Sequence, residues 1–290
     1  MIKMIIMDMD GTLLNSENQI SPKTKQALLE AQKKGIILVL ASGRSYRTLQ
    51  PFGVELEMDK NNGYFICSNG AVIASSDLTR LEYIKQLEVA EIKEVFNSVK
   101  EHEVEIMAVQ DSVIFDYIPE SLMELKKRYR LENNIDESIP FTSGTFGLIV
   151  DQSKLYTTIH YVKEEQEFNE KVNKMTISHE PEILHQLAQV IKAELGHKYN
   201  FTLTSPRWLE VAPQGISKGN TILHLLSELN ITPDQVMVFG DGENDLSMFE
   251  VVKYPIAMGN AMPKVKEAAY DVTTSNDEDG IALALKKYVL

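Results

Sequence analysis

Met4-Ile5-Ile6-Met7-Asp8-Met9-Asp10-Gly11-Thr12 is the stretch on which the reading of this chain turns. Residues 4–7 are apolar without alternation, the pattern of a short strand covered on both faces, as in a parallel sheet. An acidic pair follows. Asp8 and Asp10 are two positions apart, so in an extended strand their side chains leave the same face. Carboxylates that close repel each other unless a cation or a shared proton relieves them. The C-terminal ends of strands are also where open α/β sheets bind ligands. An Asp-Gly turn closing a strand is the plainer account of these residues, and the rest of the chain has to decide between the two.

Working outward, Ser21 reads as an N-cap and Pro22 as the first residue of a helix. The amphipathic run 23–34 stops at Gly35, a usual C-terminal signal. Residues 36–40 form a second buried strand, so the opening is β-α-β, a unit that implies parallel strands and a right-handed crossover. A third strand at 64–67 ends in Ser68-Asn69-Gly70. The far end repeats the style, with a helix at 218–229, strands at 236–239 and 254–258, and a closing helix at 281–287. The two ends are expected to form one α/β domain, a Rossmann-like doubly wound parallel sheet.

The middle has a different texture. Residues 89–102, 120–131 and 180–195 read as amphipathic helices. Residues 104–109, 113–117, 175–178 and 201–204 read as strands with more polar alternation, which a half-exposed sheet explains. The expectation is an inserted α+β domain over 83–205, with 1–82 and 206–290 forming the domain it interrupts. The stretch 135–158 carries no clear pattern.

Composition narrows the function. The 290 residues are 43% apolar and 24% charged, as in ordinary globular proteins. With 29 Lys+Arg against 42 Asp+Glu the formal charge is −13, which argues against nucleic acid as a partner. A site for an anionic substrate must therefore carry its own local positive charge. The single cysteine, Cys67, rules out an intrachain disulfide framework and suits a reducing compartment. The apolar run at 1–7 is too short for a secretory leader. The longest apolar stretch, 36–41, is far below the roughly 20 residues that span a bilayer. A cytoplasmic protein without a membrane partner is expected.

A second acidic cluster, Gly240-Asp241-Gly242-Glu243-Asn244-Asp245, again follows a short apolar strand. Magnesium takes oxygen ligands in octahedral geometry, usually from a few carboxylates and water. Asp241 beside Asp8 would complete such a site. Asn244 and Asp245 stand where a helix would begin, and either side chain can cap it; for Asp245, direct ligand and a place behind the ligands are both open. Glu243 reads as a solvated loop acid. Positive charge and donors for a phosphate come from two other places. In Ala41-Ser42-Gly43-Arg44, Ser42 offers a hydroxyl and Gly43 a backbone N–H ahead of a helix N-terminus. Lys218, in Gly215-Ile216-Ser217-Lys218-Gly219, reads alone as an ordinary surface lysine, but at a helix start it can reach an oxyanion and hold Asp8 ionised. In such a set Asp8 attacks phosphorus, and Asp10 gives a proton to the leaving oxygen and later takes one from water.

These pieces in this order, Asp8 to Thr12, Ser42, Lys218 and Gly240 to Asp245, resemble the haloacid dehalogenase superfamily. The insert looks like its C2-type cap. Ser68-Asn69-Gly70-Ala71 and the run from Glu210 to Gly219 are similar to the Cof-type sugar-phosphatase subgroup. The resemblance spans nearly the whole chain, although in the insert it is one of position rather than motif. It implies Asp8 as nucleophile and Asp10 as general acid/base. It implies Mg2+ on Asp8, the backbone carbonyl of Asp10 and Asp241, with Asp245 close by. Ser42, Gly43 and Lys218 would hold the phosphoryl group, with Asn244 assisting, and Arg44 and Asn69 would support. Phosphoryl transfer needs little beyond positioning and charge neutralisation. In the related ion-pumping ATPases the residue two after the nucleophile resembles Thr. Asp10 therefore points to soluble phosphatases and phosphomutases.

The six histidines show no metal-ligand spacing, His179 and His185 being the nearest pair. Trp208 reads as a packing residue near the domain junction. The expected activity is hydrolysis of a small phosphorylated metabolite. A phosphomutase and a non-catalytic phosphate-binding regulator are the alternatives. The substrate and the oligomeric state are not legible.

Overall fold

The structure is a computed structural model that describes residues 1–145, 147–152 and 155–290. The chain divides into two compact units, Met1–Ile84 with Ile216–Leu290, and Lys85–Gly215.

In the first unit, β1 (Met4–Met7) is wholly buried, as its unbroken apolar run requires. Ser21 caps α1 (Pro22–Lys33) by accepting from the Thr24 N–H at 3.2 Å, a bond worth about 1 kcal/mol. Ala27, Leu28 and Ala31 form the buried stripe of that helix. Gly35, at φ +80°, turns the chain into β2 (Ile37–Ala41). Next come α2 (Tyr46–Glu55), β3 (Tyr64–Cys67) and two strands that turn back antiparallel, β4 (Val72–Ser75) and β5 (Leu81–Tyr83).

The second unit runs α3 (Val89–Val99), β6 (Glu105–Gln110), β7 (Val113–Tyr117), α4 (Glu120–Glu132), β8 (Thr158–Tyr161), β9 (Lys174–Ser178), α5 (Pro181–Leu195), β10 (Tyr199–Ser205) and β11 (Trp208–Pro213). Its sheet has the order β10-β11-β9-β6-β7-β8 and is antiparallel except between β7 and β8. One face packs Ile106, Ala108, Met175 and Ile177 against Ile92 and Val95 of α3 and Leu184 and Leu187 of α5. The other face is not the exposed surface its polar alternation suggested. Glu105, Asp116 and Thr176 are completely buried there. Lys126 of α4 reaches in to pair with Glu105 at 2.7 Å and donates to the Phe141 and Leu148 carbonyls at 2.5 and 2.8 Å. The patternless stretch 135–158 thus supplies part of the cover, its residues 146, 153 and 154 lying outside those described. The junction expected at 205/206 lies at 215/216 instead. The reason is that β11 hydrogen-bonds to β9 and β10, which ties Trp208 and its neighbours to the inserted sheet.

The chain then returns to the first unit with α6 (Lys218–Leu229), β12 (Val236–Gly240), α7 (Leu246–Phe249), β13 (Tyr254–Ala257), α8 (Pro263–Glu267), β14 (Asp271–Val272) and α9 (Gly280–Tyr288). Its sheet reads β14-β13-β12-β1-β2-β3-β4-β5, parallel through β3 and antiparallel at β4 and β5. The order of strands along the chain reverses between β1 and β12, the switch point where such sheets open a crevice for ligands. Both strands there are buried on each face. Each Ile, Met, Val or Phe so buried contributes roughly 1.5–3 kcal/mol, so the strand ends that carry Asp8 and Asp241 stand on firmly packed ground. Among the described residues no helix is long and apolar enough to cross a membrane.

Candidate active site

Parallel pairing of β1 with β12, in which Met7 faces Phe239, brings the two acidic loops side by side. The Asp8 N–H donates to the Phe239 carbonyl at 3.1 Å, extending the ladder one residue past β1. Carboxylate oxygens of Asp8, Asp241 and Asp245 all lie within 4.8 Å of one another.

Lys218 meets this cluster from the first residue of α6. Its ammonium donates to Asp8 Oδ1 at 2.6 Å and to Asp245 Oδ1 at 2.8 Å. It is 1% exposed, so it is no surface lysine. Ser217 caps the helix by accepting from the Asn220 N–H at 3.1 Å. Gly219 lets α6 approach so closely that a Cβ there would stand 1.9 Å from the Ser247 carbonyl oxygen.

One lysine does not balance three acids. Burial, then the Asp245 charge, push the Asp8 carboxyl up to about 8 against the pull of Lys218. Burial likewise raises Asp241 to about 6, partly offset by the Thr12 hydroxyl, which donates to its Oδ1 at 2.7 Å. Burial alone would lower Lys218, yet the two carboxylates hold it above its ordinary range. Asp245 has its own work: Oδ2 accepts from the Asp241 and Gly242 N–H groups at 3.0 and 3.1 Å. Hard oxygen donors crowded at a net negative, desolvated point fit a small divalent cation such as magnesium.

The other residues singled out in the sequence occupy neighbouring strand ends. Ser42 follows β2, is buried, and accepts from the Arg44 N–H at 3.2 Å. Gly43 is next to it, with the Asn69 side chain 3.3 Å from where a Cβ would be. The helix there begins only at Tyr46, three residues beyond Gly43. Asn244 lies half-buried in the turn Glu243–Asp245, and Glu243 is exposed. Asp10 is exposed, and each of its carboxylate oxygens accepts a hydrogen bond from Arg44.

Three further residues shape the site, for which the sequence suggested no role beside Asp241. Thr12 steers Asp241. Gly11, at φ +79°, keeps clear of it, since a Cβ there would fall 2.5 Å from Asp241 Oδ2. Asn260 donates to the Gly11 carbonyl at 2.8 Å and accepts from the Asn276 N–H at 3.1 Å, bracing the loop from outside. Elsewhere, His224 stands with Glu82 and Glu228 in a group whose spacing the sequence did not disclose. Arg80 donates to both of those glutamates, which makes the patch an ion-paired surface network.

Known proteins resemble this chain over nearly their full length. A family model for haloacid dehalogenase-like hydrolases matches residues 5–285. A putative phosphatase of Streptococcus pyogenes is 30% identical over 291 residues, covering 100% of this chain and 99% of that protein. Among solved structures, a haloacid dehalogenase-like hydrolase from Bacteroides thetaiotaomicron has a TM-score of 0.78 at 29% identity, covering 99% of each chain. The subclass IIB sugar phosphatase BT4131 has a TM-score of 0.75 at 25% identity, covering 99% of this chain and 98% of its own. The chain belongs to the haloacid dehalogenase-like hydrolases, and its enzymatic class is that of the family's phosphatases.

Proposed function

We propose that the protein is a magnesium-dependent phosphatase that hydrolyses small phosphorylated metabolites, sugar phosphates or similar, through a phosphoryl-aspartate on Asp8. The observation that carries this reading is the buried meeting of Lys218 with Asp8, beside Asp241 and Asp245. A desolvated carboxylate is an expensive feature, and a nucleophile that must touch phosphorus accounts for it.

In the first step Asp8 Oδ attacks phosphorus, the bond from phosphorus to the leaving oxygen breaks, and Asp10 supplies that oxygen with a proton. In the second, water attacks the same phosphorus, Asp10 takes the water's proton, and the Asp8 carboxylate is regenerated as phosphate leaves. Lys218, Ser42, Gly43 and Asn244 hold the phosphoryl oxygens. Asp8, the Asp10 carbonyl and Asp241 would hold magnesium, which when bound supplies charge neutralisation for both acid cluster and phosphate. Asp245 already accepts three hydrogen bonds, from Lys218 and two backbone amides. It therefore braces Lys218 and Asp241 from behind the ligand set. A buried lone cysteine supports assignment to the cytoplasm.

The test is phosphate release from a panel of sugar, alkyl and nucleotide monophosphates, with and without magnesium, for the wild type and Asp8→Asn. Magnesium-dependent release that disappears in the variant is the expected result. Isomer conversion without net phosphate release would mark a phosphomutase instead, and undiminished release by Asp8→Asn would sink the mechanism.

A further inference from the structure

We propose that Arg44 is a positioning residue for Asp10, fixing the carboxylate that serves the leaving oxygen. The inference rests on the phosphatase reading above. The Asp10 side chain is 58% exposed, and an exposed aspartate on a turn samples several rotamers unless something holds it. Arg44 holds it at two points. Its Nε donates to Asp10 Oδ2 at 3.0 Å, and its Nη2 donates to Oδ1. A guanidinium fork fixes the plane of a carboxylate as well as its position, which a lysine cannot do.

Arg44 is itself anchored to the scaffold. Its N–H donates to Ser42 Oγ at 3.2 Å, its carbonyl accepts from the Ser68 N–H at 3.0 Å, and its side chain is only 28% exposed. The clamp thus carries the rigidity of the β2 and β3 ends to a residue that follows β1. Each carboxylate oxygen accepts along two directions, so one remains on each for the proton that Asp10 exchanges.

The chemistry gives this clamp a distinctive signature. As Asp8 bonds to phosphorus, the electron pair of the breaking bond stays on the leaving oxygen. An alkoxide needs the Asp10 proton at that moment, whereas a nitrophenolate departs unprotonated. A misaligned Asp10 should slow the phosphorylation of Asp8 by alkyl esters and spare that step for aryl esters, whereas the later attack of water, which also uses Asp10, slows for both.

The experiment compares the best alkyl ester of the panel with p-nitrophenyl phosphate. Arg44→Ala is expected to lower the single-turnover rate of alkyl-ester cleavage by about 10- to 100-fold, part of what a general acid supplies. On p-nitrophenyl phosphate the first-turnover burst of nitrophenolate, which reports phosphorylation of Asp8 alone, should keep its rate within about threefold, and Arg44→Lys should recover only part of the alkyl activity. In an Asp10→Asn background, Arg44→Ala should change the alkyl rate by less than about twofold, because the two residues act as one unit. Equal losses in that first step on both esters, no loss in it on either, or full additivity with Asp10→Asn would each overturn the assignment. A wild type that hydrolyses neither ester would overturn the phosphatase reading beneath it, a different failure.

Discussion

The Lys218 ammonium sits 2.6 Å from Asp8 Oδ1, and Lys218 is buried as deeply as the strands beneath it. The pair joins the first residue of α6 to the residue after β1, 210 positions apart in the chain. Lys218→Met therefore leaves Asp8 and Asp245 facing each other without their cation. Breaking a buried pair from one side costs about 3–5 kcal/mol. Urea denaturation in magnesium-free buffer should show a loss of that order, and phosphatase activity should fall by at least about 100-fold.

Stability should also depend on pH in a way that magnesium removes. Asp8 rises from 3.8 unfolded to about 8 in the fold, and Asp241 from 3.8 to about 6. Between those limits the folded chain holds protons that the unfolded chain lacks, so stability is highest below about pH 4 for these groups and falls as pH rises to about 8. A cation replaces the protons. The magnesium-induced gain in Tm should therefore be small near about pH 5 and grow towards about pH 8. A thermal shift series across that range checks it, and a gain independent of pH would count against the acid cluster as the binding site.

Gly11→Ala puts a methyl group against Asp241 and asks a β-carbon to adopt φ +79°. The backbone strain is of order 1–3 kcal/mol, and the carboxylate must move. Apparent magnesium affinity should weaken by at least about tenfold, measured by titrating activity with the metal, while far-UV circular dichroism is unchanged.

Asn260 uses both ends of its amide, donating to Gly11 and accepting from Asn276. Asn260→Asp keeps the shape but turns an acceptor towards the Gly11 carbonyl, which is worse than losing the bond. Asn260→Asp should therefore reduce kcat/KM more than Asn260→Ala, by about tenfold against about threefold. The reverse order would show that the bridge does not hold the loop.

How much of this was legible in the sequence differs from residue to residue. β1 and β12 announced themselves because strands covered on both faces carry no alternation, and each ran straight into its acids. The start of α2 was expected after Arg44, but its extent was not, because Pro51 and Gly53 interrupt its pattern. The burial of Lys218 could not be seen, since its partners Asp8 and Asp245 are distant in the chain and a lysine's default is solvent. Asn260 was silent for the same reason, its partner Gly11 lying 249 positions away. In the insert, polar strand positions read as solvent-facing. Glu105 instead found Lys126, and Asp116 accepts from the Thr142 hydroxyl at 2.7 Å. Alternation reports two different faces, and only the covering segment decides whether the second face is wet.

The claim at the centre is a covalent bond between Asp8 and phosphorus. Borohydride added during turnover reduces an acyl phosphate to the alcohol, converting the aspartate that carried it into homoserine. Peptide mass spectrometry after such a quench should find homoserine at position 8, dependent on both substrate and magnesium, and absent without either. Steady turnover with Asp8 unmodified, or homoserine at Asp241 or Asp245 in its place, would contradict the account.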